Sequence, residues 1–495
     1  MKKLLCLLLA ALMLMGTLAS CATGNEATDT TANADTTVGA EEDSREALNV
    51  PDTRFDGTEL CFLTRDEGEW STVEIFAEDQ TANSDNISTA VFERNDRILQ
   101  AYGVTVTELK KASAEHHSTL TNEVAAPTGD FQAVITNTSG SASFATNGYL
   151  WDLHSDEIEY IDLTKSWWDK NLAEGMSIDN KLYFATGDLL TSDNDATFLI
   201  MFNKKIATDC SLPDLYAMVE NGQWTMEKFY EFEQQAVQDK NGDNKITYDT
   251  DIAGLAYTVD SPYCLLFAGG ITMVTKDEDD MPVYGLDVEL AQNIADMAKL
   301  MLAKDLTVNL NEPGDGTDIV TAGQKTFGEN HALFMGEVMQ CVTRVRGYDV
   351  DFGILPFPKY NEKQAGYYSM MHFTASCVSI PKSVSGETLV MVNSMIEAMA
   401  YHSVDTLTKQ YYEINLKTKG AKDEQSGPMM DEILSGRICD LSYYYQWGDN
   451  AFGQLAACLL PTGNKGIASQ NKKFKSSIER SITQLMKAMD KNEKR

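Results

Sequence analysis

Bases are scarce in this chain of 495 residues: 40 Lys and Arg stand against 74 Asp and Glu, a formal net charge of −34. A balance so acidic leaves no electrostatic footprint for a phosphate backbone and argues against nucleic-acid partners. Long apolar runs are also missing. Beyond the first twenty residues no segment reaches the roughly 18 uncharged apolar residues that a membrane-spanning helix needs. Histidine is limited to six positions, and no His/Cys spacing suggests zinc. The one adjacent pair, His116 and His117, sits in a polar stretch and is expected in a solvated loop. No GxSxG, HExxH, phosphate-binding Walker loop or GxGxxG is found, so no catalytic chemistry and no organic cofactor is called for. Carboxylate pairs are too common in such a chain to single out a hydrolytic site.

What is present begins with an address. Lys2 and Lys3 precede an apolar stretch, Leu4 to Leu18, too short to span a bilayer. It ends in Leu18-Ala19-Ser20-Cys21. Small residues ahead of a cysteine at that depth resemble the lipobox of bacterial lipoproteins. The resemblance makes residues 1–20 a signal peptide and Cys21 the lipidated (palmitate-bearing) first residue of the mature chain. An ordinary cleavage site is the alternative. Residues 21–55 then read as the lipidated cysteine and an acidic tether, poor in the apolar residues that would offset ordering entropy. About 28 flexible residues reach roughly 30 Å, enough to lift a globular body off a membrane. Seven further cysteines are scattered with no CxxC pair. They read as buried thiols, with one or two bridges left open.

With 43% apolar residues the rest of the chain can bury a large core. Short β-rich runs alternate with amphipathic stretches, the pattern of an α/β protein. Leu60–Leu63, Val104–Thr107, Phe131–Thr136, Phe198–Phe202 and Ala332–Met335 read as strands. Ile87–Tyr102 reads as a helix stopped by Gly103, and Asp287 caps another bearing Leu290, Ile294, Met297 and Met301 on one stripe. Leu389, Val392, Met395, Ile396 and Met399 mark a third.

Two kinds of motif carry chemistry. Asp239, Asn241 and Asp243 stand at positions 1, 3 and 5 of an EF-hand-like loop, with the Lys245 carbonyl at position 7 and Asp249 and Asp251 following. Alternating oxygen donors in a turn suit a structural calcium ion. Asn244 in place of glycine and a closing acid one residue late keep a plain polar turn open as the alternative. Aromatic residues beside polar ones are the second kind: Trp70, Trp167 and Trp168, Tyr443 to Tyr445, and Trp447. Flat rings stack on the apolar faces of sugars while carboxylates and amides take hydroxyls. Trp224, ahead of the helix cap Thr225, reads as packing instead.

In order along the chain, Asn147–Leu153, Lys181–Ala185, Phe202–Lys205, Leu212–Asp214, Gly222–Thr225, Asp351–Pro358 and Ser379–Lys382 resemble segments of the extracellular solute-binding proteins, the sugar-type (family 1-like) receptors of ABC importers. The similarity runs from about residue 57 to 490, although Gly187 stands near where the family has a proline. It implies a type II periplasmic-binding-protein fold: two α/β lobes joined by a hinge, with a ligand cleft between them. On this chain lobe 1 would take 57–190 plus 322–368, and lobe 2 would take 191–321 plus 369–495. Trp70, Glu78, Asp195 and Trp447 fall on segments that the resemblance places at the cleft. It further implies a monomeric receptor on the outer face of a bacterial cell membrane, held there by lipid alone. Such a receptor captures a solute, a sugar or oligosaccharide in the favoured reading, and delivers it to permease subunits without turnover. Peptides or other polar solutes stay open. The alternatives are a surface glycan-processing enzyme and a binding lipoprotein unconnected with transport.

Overall fold

The computed structural model describes residues 46–66, 73–77, 86–417, 425–463 and 465–493. The signal peptide and Cys21 lie outside them, as do Trp70 and Glu78. Among the described residues eleven strands form two main sheets and a hairpin. In chain order they are β1 (Thr58–Asp66), β2 (Val104–Ala112), β3 (Ala133–Asn137), β4 (Phe198–Asn203), β5 (Ala253–Tyr257), β6 (Val274–Lys276), β7 (Pro282–Tyr284), β8 (Thr307–Asn309), β9 (Ala332–Val338), β10 (Phe352–Leu355) and β11 (Ser376–Ser379).

The first sheet has the order β11-β3-β1-β2. β1 runs parallel to β2 and β3, and β11 closes the edge antiparallel to β3. The second has the order β10-β4-β9-β5-β8, in which β5 is parallel to β8 and β9 while β4 is antiparallel to β9 and β10. β4 is buried at all six positions, the signature of a strand covered on both faces, and its Phe-Leu-Ile-Met-Phe run supplies no polar side to solvate. The helix expected over 87–102 spans Asn86–Tyr102. Gly103 ends it at φ +77, a conformation only glycine adopts without strain. The Asp287 carboxylate accepts from the Leu290 N–H and caps Val288–Met301 as expected.

The expected lobe boundaries are corrected by the strand pairing. β9 and β10, placed by sequence in lobe 1 with 322–368, hydrogen-bond to β4 and belong to the second lobe. β11, placed in lobe 2, pairs with β3 in the first. The helix that follows, Gly386–Ser403, also packs on Asn86–Tyr102. The apolar run of a strand says that it is buried but not against which partner, so the return crossing was set too early. The tether boundary moves as well. Leu48, Val50 and Phe55 pack on the core, the Phe55 N–H donates to the Tyr102 carbonyl, and Glu46 accepts from the Ser166 N–H. Residues 46–55 are therefore part of the body, held by three apolar side chains in an otherwise polar stretch.

Three stretches lie side by side where the chain passes between lobes. The Phe198 N–H donates to the Met370 carbonyl and the His372 N–H to that of Ala196. The Ser369 N–H donates to Gly436 O, and Ile438 N–H returns to Ser369 O. Arg437 pins this ribbon from below. Its guanidinium lies 2.6 Å from Asp169 and 3.1 Å from Asp193, and also donates to Asn194. Such partners offset the cost of burying its charge.

Candidate functional site

A cleft of about 350 Å³ opens beside the ribbon. Thr64 and Arg65 reach it from the end of β1, Glu108 and Lys110 from β2, and Glu74 and Ile75 from the segment that follows β1. The crossing contributes Asp195 and Phe198, and the return contributes His372 and Thr374. The second lobe adds Asp260 beyond β5, Glu337 and Val338 at the end of β9, and Arg344. The cleft therefore lies toward the carboxyl ends of β1, β2, β5 and β9 and the amino ends of the antiparallel β4 and β11, where side chains at strand termini project free of the ladder. It draws on both sheets and on the ribbon between them, so a molecule held in it touches both lobes.

The polar groups are placed by local structure. Glu74 accepts from the Thr191 and Ser192 N–H groups at 2.8 and 2.6 Å, which fixes the start of the first crossing. The carbonyls of Glu74 and Ile75 are held in turn by the fully buried Arg94, at 2.8 and 3.1 Å. Asp195 accepts from the Tyr411 hydroxyl at 2.8 Å. Burial pushes its carboxyl up to about 7 against that hydrogen bond, with Glu74 and Asp193 adding to the rise. Burial likewise raises Glu337, whose carboxylate accepts from the Val338 N–H at 2.9 Å. His372 lies beside Phe373, the rings tilted by 33° with centroids 4.2 Å apart, and 3.6 Å from Asp260.

No protein-family model matches the chain, and no curated protein sequence matches it. Solved structures do. The sugar-binding protein MalE from Xanthomonas citri superposes with a TM-score of 0.57 over 88% of this chain and 100% of its own, at 11% identity. A sugar transporter protein from Rhizobium etli, in an open conformation, gives 0.56 over 85% and 99%, at 12% identity. An ABC substrate-binding protein from Listeria monocytogenes, in complex with cycloalternan, gives 0.53 over 86% and 100%, at 12% identity. The chain has the type II periplasmic-binding-protein fold. Identities this low speak for the fold and leave the ligand to the site.

Among the residues expected at the cleft, Asp195 lines it. Trp447 does not. It is 6% exposed, with its ring against Tyr445 at 5.3 Å, and it opens the helix Trp447–Ala456 that packs on the C-terminal helix Ile467–Glu493. A left-handed Gln446 turns it inward, a backbone feature that residue type did not announce. The other aromatic clusters are core as well. Trp167 and Trp168 both donate their indole N–H to Glu397, at 3.0 and 2.8 Å, while Tyr443 and Tyr444 are buried. Trp224 is fully buried and donates to Pro356 O, as its position predicts. His116 departs from the expected solvated loop. It lies in the helix Ser113–Ala125 at 2% exposure, where burial pushes its imidazole down to about 4.

Asp239, Asn241, Asp243 and Asp251 do share one loop, but they turn their oxygens onto its backbone. Asp239 accepts from the Gly242 and Asn244 N–H groups, Asn241 from Asp243, Asp243 from Lys245, and Asp251 from Lys240 and Thr247. Asp249 touches only the Thr250 hydroxyl. Among the described residues no three acidic, His or Cys side chains gather to hold a metal. These bonds hold the loop in a polar turn closed by its own side chains. All seven body cysteines are free thiols.

Glu337, Asp260 and Lys110 went unmarked in the sequence. The available signal was position: each sits in, or just beyond, a strand whose end faces the crossing.

Proposed function

We propose that the chain is an extracellular, lipid-anchored receptor that captures a carbohydrate and passes it, unchanged, to the permease of an ABC importer. The observation that carries this reading is the cleft. It lies at the strand ends of two lobes joined by a hydrogen-bonded ribbon, so an occupant bridges both lobes and shifts their equilibrium toward closure. The shared fold with proteins named as sugar-binding supports the carbohydrate. Cys21 supplies the anchor and the following residues the leash. Among the described residues no helix is long and apolar enough to cross a membrane.

Calorimetric titration of the mature chain with a broad glycan panel, paired with small-angle scattering, tests the reading. The expected result is a saturable ligand, a smaller radius of gyration on binding, and a ligand recovered intact by chromatography. A ligand that binds but emerges cleaved would move the protein to the surface glycan-processing enzymes. A panel without any binder would remove the receptor reading.

A further inference from the structure

Resting on the receptor reading, the charge arrangement inside the cleft narrows the solute. Three of its carboxylates are incompletely used by the protein. Asp195 spends one oxygen on the Tyr411 hydroxyl, and no hydrogen bond of the structure reaches its Oδ2. Glu337 spends Oε2 on the Val338 N–H and the Cys341 thiol, at 2.9 and 3.5 Å, leaving Oε1. Among the described residues the Asp260 carboxylate accepts no hydrogen bond, and the His372 ring Nε2 lies 3.6 Å from it. Among the described residues no Lys or Arg forms an ion pair with any of the three.

The other charges of the cleft are engaged elsewhere or belong to the opposite wall. Glu74 is tied to the Thr191 and Ser192 N–H groups. Lys110 pairs with Glu108 at 3.3 Å on β2, which also takes the Thr64 hydroxyl. Arg65 ends β1 on that first-lobe wall. Arg344 donates to Gln340 at 3.0 Å, and its charge partly offsets those of Asp195 and Glu337 without an ion pair to either. Acid thus outweighs base along the crossing and the second lobe, and burial already works against ionisation of Asp195 and Glu337.

A neutral polyol would fill hydrogen bonds there but bring no positive charge to the three carboxylates. An anion would meet repulsion. A protonated amine answers both demands, since it donates three hydrogen bonds and brings the missing charge. Rings are also few: among the described lining residues Phe198 and His372 supply them, with no Trp or Tyr. We propose that the solute is a cationic, amino-bearing glycoside, with its ammonium seated among Asp195, Asp260 and Glu337.

The decisive comparison uses glucosamine trimer, N-acetylglucosamine trimer and maltotriose, titrated calorimetrically into the mature chain. Acetylation removes the charge and leaves the sugar chain in place. The expected result is glucosamine trimer binding at least about tenfold more tightly than its acetylated form, a difference of about 1.4 kcal/mol. That advantage should shrink several-fold in 0.5 M salt, roughly, as screening sets in. Asp260→Asn and Glu337→Gln, each checked for an unchanged melting profile, should each remove most of the advantage. Equal or tighter binding of either neutral trimer overturns the amine and leaves the receptor reading standing. Failure of these trimers together with the whole glycan panel removes both.

Discussion

Glu233 is a carboxyl group in the wrong place for stability, and replacing it should strengthen the fold. It lies in the helix Met226–Ala236, fully buried against β5, where Gly254 lets the helix approach so closely that any Cβ there would sit 2.6 Å from that of Glu233. Neither carboxylate oxygen has a hydrogen-bond partner in the protein, and burial holds the group well above the usual carboxylate range. An unsatisfied buried polar group costs about 1–3 kcal/mol. Glu233→Met keeps the unbranched shape and removes the polar atoms, so it should stabilise by about that amount.

The sign with pH follows from linkage. The folded group stays neutral while the unfolded one ionises above its ordinary value of 4.5. Its stability is therefore full below that pH and is lost as pH rises toward the folded value, at up to about 1.4 kcal/mol per unit. The advantage of Glu233→Met over wild type should grow from pH 4.5 upward, read by urea unfolding at a series of pH values. A variant destabilised by more than about 1 kcal/mol, or an advantage that does not change with pH, would refute the reasoning.

Three other outcomes are expected. Arg437→Ala leaves Asp169 and Asp193 buried without a counter-charge and should cost about 3–5 kcal/mol by urea unfolding; a loss below 1 kcal/mol, roughly, would mean that the ribbon does not depend on it. Glu397→Ala should cost about 2–4 kcal/mol by leaving two buried indole N–H groups unpaired. Because burial pushes Glu397 up to about 7, its contribution should also fall as pH rises from about 4.5 to 7, and a pH-independent cost would contradict that. For the Asp239 loop, closed by its own hydrogen bonds, calcium added to chelated protein should leave the melting temperature unchanged. A rise of several degrees, roughly, would restore the loop as a cation site.

Elements were legible in the sequence wherever the signal was local. Asp287 and Thr225 announce their helices because a cap needs only one side-chain oxygen and an N–H three residues on. The buried run of β4 could be read because both of its faces are apolar. The cleft was legible less well. The resemblance puts the segments of both Asp195 and Trp447 at the cleft; Asp195 lines it, whereas Trp447 follows a left-handed Gln446 and is buried. The ring pair Trp167 and Trp168 stands beside polar residues in the sequence, but Glu397, more than two hundred residues away, takes both indoles in the core.

By itself the sequence determined composition-level and nearest-neighbour facts. The acid excess, the lipobox-like address, the alternation of strand and helix, and the caps all depend on residues a few positions apart. Only the tertiary structure decided which sheet β9, β10 and β11 join, and which carboxylates keep an oxygen unclaimed at the crossing. Those outcomes depend on pairing between segments separated by a hundred residues or more. There, burial, counter-charge and hydrogen bonding are properties of the assembled lobes and not of any stretch of chain.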